Sequence, residues 1–187
     1  MGHAFHDIAF TDAVKARQSE RGSRASYAKA EGTEAYADTL GPDEIGFIQA
    51  RDSLYMASVS ETGWPYVQHR GGPRGFVRAL DAQTIGFAEF MGNKQYVTTG
   101  NLDGDDRVSL FFMDYPNRRR LKLLGHARRV SRDEAAALAE PYAGTRLEPR
   151  IEGAMLIRVA AFDWNCPQYI TPRYTAEEIE VLTSAAS

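Results

Sequence analysis

The sequence predicts a mainly β protein, a barrel with its helices set outside it. Three observations point there. Six or seven short apolar runs recur at close spacing between residues 54 and 162. The helix-forming segments lie mainly outside that block, whereas a parallel sheet needs a helix between successive strands. No internal repeat and no low-complexity linker divides the chain.

The elements follow in order from local chemistry. Thr11 to Glu20 is polar and helix-compatible, with Gly22 placed to end it, and Ser23 to Ala30 predicts a further short helix. Residues 31–40 read as a connecting loop. Gly41-Pro42-Asp43-Glu44 is a helix start, because proline suits the first helical position and acids suit the first turn. Ile45, Phe47 and Ile48 give that helix, through Arg51, its buried face. Leu54 to Val59 and Pro65 to Arg70 flank the turn Glu61-Thr62-Gly63 and predict a hairpin. Phe76 to Leu80 and Thr84 to Glu89 flank Asp81-Ala82-Gln83 and predict a second. A short helix is expected over Lys94 to Gly100. RVSLFFM, Arg107 to Met113, is a well-buried strand, and RLKLLGHARRV, Arg120 to Val130, is a long one with Gly125 at a bend or bulge. Ser131-Arg132-Asp133-Glu134 fits a capping box, with Glu134 reaching back, before a helix to about Ala139. Glu152 to Phe162 is a late strand, and Thr175-Ala176-Glu177-Glu178 opens a final helix.

Composition narrows the function classes. The 187 residues suffice for one sizeable core, and 43% hydrophobic with 25% charged residues is ordinary for a soluble globular chain. A net charge of −3 argues against a nucleic-acid partner held by bulk positive charge. No apolar run is long enough to span a bilayer, so no membrane partner is expected. MGHAFHDIAFTDAVKARQ lacks the basic start and apolar block of a signal peptide. The single cysteine, Cys166, excludes an internal disulfide and a multi-cysteine metal site. A cytoplasmic location is the expectation.

The candidate binding residues cluster in the middle of the chain. Gln68-His69-Arg70-Gly71-Gly72 ends a strand, with Gln68 and Arg70 on one face and His69 on the other. A guanidinium beside bare backbone suits a planar anionic ligand, and the same residues also read as a surface hairpin end. Glu89-Phe90-Met91-Gly92-Asn93-Lys94 follows a strand and precedes a helix start, where backbone N–H groups favour an anion. There Asn93 also reads as a plain helix cap and Lys94 as a solvated side chain. Asn117-Arg118-Arg119-Arg120 at a hairpin tip suits a phosphate or a partner subunit, and also a soluble turn. In Asp163-Trp164-Asn165-Cys166-Pro167-Gln168-Tyr169, Trp164 and Tyr169 are candidates to lie against a flat ring. The histidines show no metal-ligand spacing, and no nucleophile elbow or spaced acid pair singles out a catalytic residue. The pattern favours ligand binding over acid–base catalysis.

The order of these features resembles the pyridoxamine 5′-phosphate oxidase-like family over residues 42–165. It is carried by strand Leu54–Val59, Gly63-x-Pro65, the basic strand end at Gln68-His69-Arg70, strand Thr84–Glu89 with Gly92-Asn93-Lys94, and then RVSLFF and RLKLLGHARRV. The WPYVQHRGGP, GNKQY and DWNCPQ segments look like an uncharacterised branch of it. The resemblance implies a split β-barrel of the FMN-binding type over residues 41–187, with residues 1–40 as a helical extension. It implies a homodimer with FMN at the subunit interface. Gln68, His69, Arg70 and Gly71 correspond to the family's first FMN strand. Phe87 through Lys94, Glu89 among them, correspond to its second, with Asn93 and Lys94 on the phosphate. Arg120 would reach across from the second subunit, and Trp164 would lie near the flavin. Gln68 stands where the family oxidases carry arginine, Asn93-Lys94 where they carry Arg-Lys, and the C-terminal arginine and histidine pattern is not evident in TPRYTAEEIEVL. The implied function is an FMN-dependent oxidoreductase acting on a small-molecule substrate or a nicotinamide donor. A non-catalytic flavin-binding or sensing module, or a split barrel holding haem (with His69 or His126 as ligand) or a deazaflavin, are the alternatives. Phe111, Phe112 and Leu123 add to the expectation of a dimer, as apolar residues that one barrel leaves partly uncovered.

Overall fold

The computed structural model describes residues 3–29 and 39–184. The loop expected at residues 31–40 falls outside the described residues except for Thr39 and Leu40. Three short helices open the chain: α1 (His3–Ala9), α2 (Asp12–Glu20) and α3 (Arg24–Ala28). Thr11 caps α2 by accepting from the Val14 N–H (3.4 Å), and Gly22 ends it in the left-handed region at φ +74°, as its position before Ser23 suggested. α1 packs on the last strand of the barrel, and the stacked pair His6–Phe10 meets Tyr27 edge-on, which ties α1 to α3. α4 (Pro42–Gln49) starts as expected, with proline in its first turn and the Glu44 carboxylate accepting from the Gly41 N–H at 3.0 Å.

Seven strands follow: β1 (Ser53–Val59), β2 (Pro65–Gly71), β3 (Val77–Asp81), β4 (Thr84–Phe90), β5 (Arg107–Asp114), β6 (Arg119–Val130) and β7 (Ile151–Trp164). α5 (Val97–Gly104) lies between β4 and β5, α6 (Ala136–Ala139) between β6 and β7, and α7 (Ala176–Ser184) closes the described chain. The strands form one antiparallel sheet in the order β2-β1-β5-β6-β7-β4-β3. β2 is one edge and β4 is next to the other, yet Arg70 on β2 and Glu89 on β4 approach to 3.9 Å. The sheet has therefore curled until its ends meet without pairing, a barrel with an open seam. Gly125 is the expected bulge. The register of β6 on β7 shifts at Leu124/Gly125, and a Cβ on Gly125 would sit 2.6 Å from the Arg158 carbonyl oxygen.

The barrel is filled by the inward residues of alternating strands, among them Leu54, Met56, Ile85, Leu110, Phe112, Leu121, Leu123, Met155 and Ile157, all fully buried. Phe112 and Leu123, expected to remain partly uncovered in a single barrel, are thus core residues; of the three only Phe111 is half-buried. The period-2 alternation places Phe112 inward and Phe111 outward. Ser131 keeps half of its expected box: its hydroxyl accepts from the Glu134 N–H (3.3 Å), but the Glu134 carboxylate turns to Arg128 (2.6 Å) and the helix begins only at Ala136. Thr175 and Glu178 make the full reciprocal box at the start of α7. No described helix is long and apolar enough to cross a membrane.

Candidate functional site

The open seam forms a cleft. One wall is β2, whose alternate residues Tyr66, Gln68 and Arg70 face it together, with the Tyr66 hydroxyl donating to Gln68 Oε1 at 2.6 Å. The other wall is the end of β4 at Glu89, the loop through Gly92, Asn93, Lys94 and Tyr96, and the first turn of α5 at Thr98 and Thr99. Arg129 of β6 and Glu152 of β7 complete the lining. The cleft holds about 90 Å³ and is open to solvent on one side.

Charge is concentrated there. The Glu89 side chain is 10% exposed and accepts from Arg129 Nε at 2.8 Å, while Arg70 Nη1 stands 3.9 Å from its other oxygen. That second distance is an ion pair and too long for a hydrogen bond. Arg70 Nε is buried and has no hydrogen-bond partner. A buried N–H with no acceptor is costly, so this cleft-lining guanidinium has unspent hydrogen-bonding capacity. Lys94 and Asn93 are exposed at the rim.

The loop that carries Lys94 is not a helix start. Lys94 (φ +60°) and Tyr96 (φ +51°) both take the left-handed conformation, and the Asn93 side chain accepts from the Gln95 N–H at 3.2 Å. Asn93 therefore closes a local turn instead of capping a helix, and α5 begins three residues later than expected, at Val97. Two non-glycine residues in left-handed backbone beside a cleft mark a conformation held by its surroundings. Met91 supplies part of that hold: its N–H donates to the Arg150 carbonyl (2.7 Å), and Arg150 Nη2 donates back to its carbonyl (3.2 Å).

Of the residues singled out from sequence, Gln68, Arg70, Glu89, Phe90, Gly92, Asn93 and Lys94 meet in this one cleft. The others do not line it. His69 points to the opposite face of β2, edge-on to Tyr55 at 5.8 Å, as the strand alternation required. Gly71 follows it at the strand end, paired with Ser53. The Phe87 side chain is 2% exposed and packs on Phe76 in the core. Arg120 and Trp164 share a separate hollow of about 380 Å³ at the β5–β6 turn, with Asp43, Arg118, Arg119 and Asn165. There the Trp164 indole N–H donates to Glu44 (2.7 Å) and its ring lies under the Arg119 guanidinium at 4.5 Å. In the amide orientation that satisfies both groups, the Asn165 oxygen accepts from Arg120 Nε and Nη2 at 2.7 and 2.6 Å. Tyr66, Thr98, Thr99, Arg129 and Glu152 were missed. Tyr66 was within reach, standing two residues before Gln68 on the same face. Arg129 and Glu152 arrive through the register of β6 and β7 and carry no local signal. Among the described residues no group of three or more histidine, cysteine or acidic side chains is placed to hold a metal ion.

Solved structures share this fold. HupZ of Group A Streptococcus superposes with a TM-score of 0.54 over 72% of this chain and 100% of its own, at 14% identity. An FMN-binding protein of Syntrophomonas wolfei superposes with a TM-score of 0.51 over 79% of this chain and 97% of its own, at 9% identity. At such identities the likeness concerns the split barrel alone. No curated protein matches the chain in sequence. The family model of pyridoxamine 5′-phosphate oxidase, in contrast, matches residues 45–165, from α4 through all seven strands. That span is well over half of the sequence and contains the whole cleft, and the chain belongs to the pyridoxamine 5′-phosphate oxidase family.

Proposed function

We propose that this chain binds FMN through the seam cleft and works as a flavin-dependent oxidoreductase on a small-molecule substrate or a nicotinamide donor. The observation that carries the reading is Arg70, a guanidinium with a buried, unpartnered Nε in the cleft that also holds Lys94 and Asn93. A terminal phosphate carries nearly two negative charges and several acceptor oxygens, and these three side chains are donors of the right kind. Size supports the same division of labour. The cleft's 90 Å³ suits a phosphate-sized group, whereas whole cofactor sites span roughly 300–1,000 Å³. The tricyclic ring then lies at the mouth and needs a second wall. We assign that wall to a second copy of the chain, with Arg120 and Trp164 of each copy serving the other's cleft. Cytoplasmic residence belongs to this reading and is in keeping with the single, exposed and free Cys166.

Bound FMN supplies the redox chemistry at its ring; the protein binds, orients and shields it. Arg70 and Lys94 hold the phosphate, the Asn93 turn sets the rim, and Gln68, fixed by Tyr66, presents its amide donors along β2. The lining holds no histidine, and its two carboxylates, Glu89 and Glu152, both face Arg129, which suits a reaction whose bond-making is done by the cofactor. The test is the absorbance of freshly purified protein. Flavin bands released on denaturation, followed by bleaching when NADH or NADPH is added anaerobically, are expected. Bands without reduction by any donor leave a flavin-binding module without turnover. Colourless protein that takes up no added FMN overturns the reading, and a haem or deazaflavin spectrum identifies the alternative.

A further inference from the structure

Resting on that reading, we propose that Glu89 is a built-in competitor for the ligand's phosphate, and that Arg129 is the positioning residue that holds it off Arg70. The register makes the arrangement possible. Glu89 of β4 pairs with Gly153 of β7, and Arg129 of β6 pairs with Met155. Arg129 has to cross β7 to reach Glu89, and it does so at the strand's bare position: a Cβ built on Gly153 would stand 3.6 Å from Arg129 Nη2. The same Cβ would collide with the Val130 carbonyl oxygen, so the close approach of β6 and β7 requires glycine there.

The outcome is an asymmetric bridge. Arg129 holds one oxygen of Glu89 by a hydrogen bond of 2.8 Å, and Arg70 stands 3.9 Å from the other. Glu152, 4.0 Å from Arg129 Nη2, is too distant to release it. With its side chain 10% exposed, Glu89 acts on Arg70 with little screening by water. A phosphate entering against Arg70 meets this carboxylate at the same guanidinium, and like charges there oppose binding. Without Arg129 the carboxylate is free to close on Arg70 as a two-bond fork and occupy the receptor itself. The two residues therefore act on phosphate affinity in opposite directions, although they are bonded to each other.

FMN titrations by flavin fluorescence, with riboflavin as the phosphate-free control, test this. Glu89→Gln is expected to tighten FMN about fivefold or more and to leave riboflavin unchanged; Arg129→Ala is expected to weaken FMN by a similar factor. In the Glu89→Gln background the Arg129→Ala loss disappears, and Arg129→Lys restores part of the affinity in the native background. Unchanged or weaker FMN binding by Glu89→Gln overturns the inference. So does an Arg129→Ala loss of equal size in both backgrounds, which makes Arg129 a direct phosphate ligand. If no variant binds FMN, the flavin reading fails by itself. The inference is then decided on inorganic phosphate, by the rise in Tm it causes: largest for Glu89→Gln, smallest for Arg129→Ala. Any other order, or no rise in any of them, overturns it.

Discussion

The cleft at the barrel seam and the β5–β6 turn are both rich in arginine, and they use it in opposite ways. At the turn Arg51, Arg119 and Arg120 are committed. Arg51 bonds Asp114 at 3.1 Å and lies over Phe47, Arg119 stacks on Trp164 and Phe47, and Arg120 is held by Asn165. Asp114 in turn accepts from the backbone and side chain of Asn117, which pins the turn to α4 through Arg51. In the cleft Arg70 has one long ion pair and an orphaned N–H. The run of three arginines looks the richer anion site in sequence, but a cation already engaged inside the protein has fewer bonds to offer a ligand than one left unsatisfied. The count of charges says less than their state of engagement.

The largest effect that would test this contrast is at Asp114. Asp114→Ala leaves Arg51, 15% exposed, without its carboxylate partner, and is expected to lower the stability by about 3 kcal/mol in urea unfolding. FMN affinity should hardly change. The same carboxyl gives a pH signature. Burial opposes its ionisation, but the Asn117 hydrogen bonds and the Arg51 charge outweigh burial and hold it below its ordinary value of 3.8. In acid the unfolded chain then binds the extra proton first. The contribution is complete above that ordinary value and is lost as pH falls through the lower folded one. Urea midpoints measured from about pH 5 down to about pH 2 should fall less steeply for Asp114→Asn than for the native chain.

Next in size is Arg70→Ala. It is expected to weaken FMN by roughly 10- to 100-fold, the scale of a charged hydrogen bond of about 1.5–3 kcal/mol, and to leave the urea midpoint unchanged. A loss of stability comparable to that of Asp114→Ala would erase the distinction between the two regions. The smallest effect is at Arg118, an exposed arginine of the turn held at φ +51°. Arg118→Gly relieves the left-handed backbone and adds freedom to the unfolded chain, so its net effect on stability should stay within about 1 kcal/mol. A large change in either direction would show that this guanidinium is engaged as its neighbours are.

The amino-acid sequence by itself determined the elements and their faces. Alternation in RVSLFFM and RLKLLGHARRV set which residues fill the barrel, Pro42 with Glu44 and Thr175 with Glu178 set two helix starts, and Gly125 set the bulge. These are local effects of side-chain period, hydrogen-bonding reach and steric allowance, so a few neighbouring residues suffice to express them. The two cleft segments were visible for the same reason, since Gln68 and Arg70 share a face and Asn93 and Lys94 share a turn. The rest was decided only by tertiary structure. Closure of the sheet brought Arg70 to Glu89, and the register of β6 on β7 carried Arg129 across Gly153 to the same carboxylate. Whether a charged side chain is spent or available depends on partners far away in the chain, and strand pairing sets those distances.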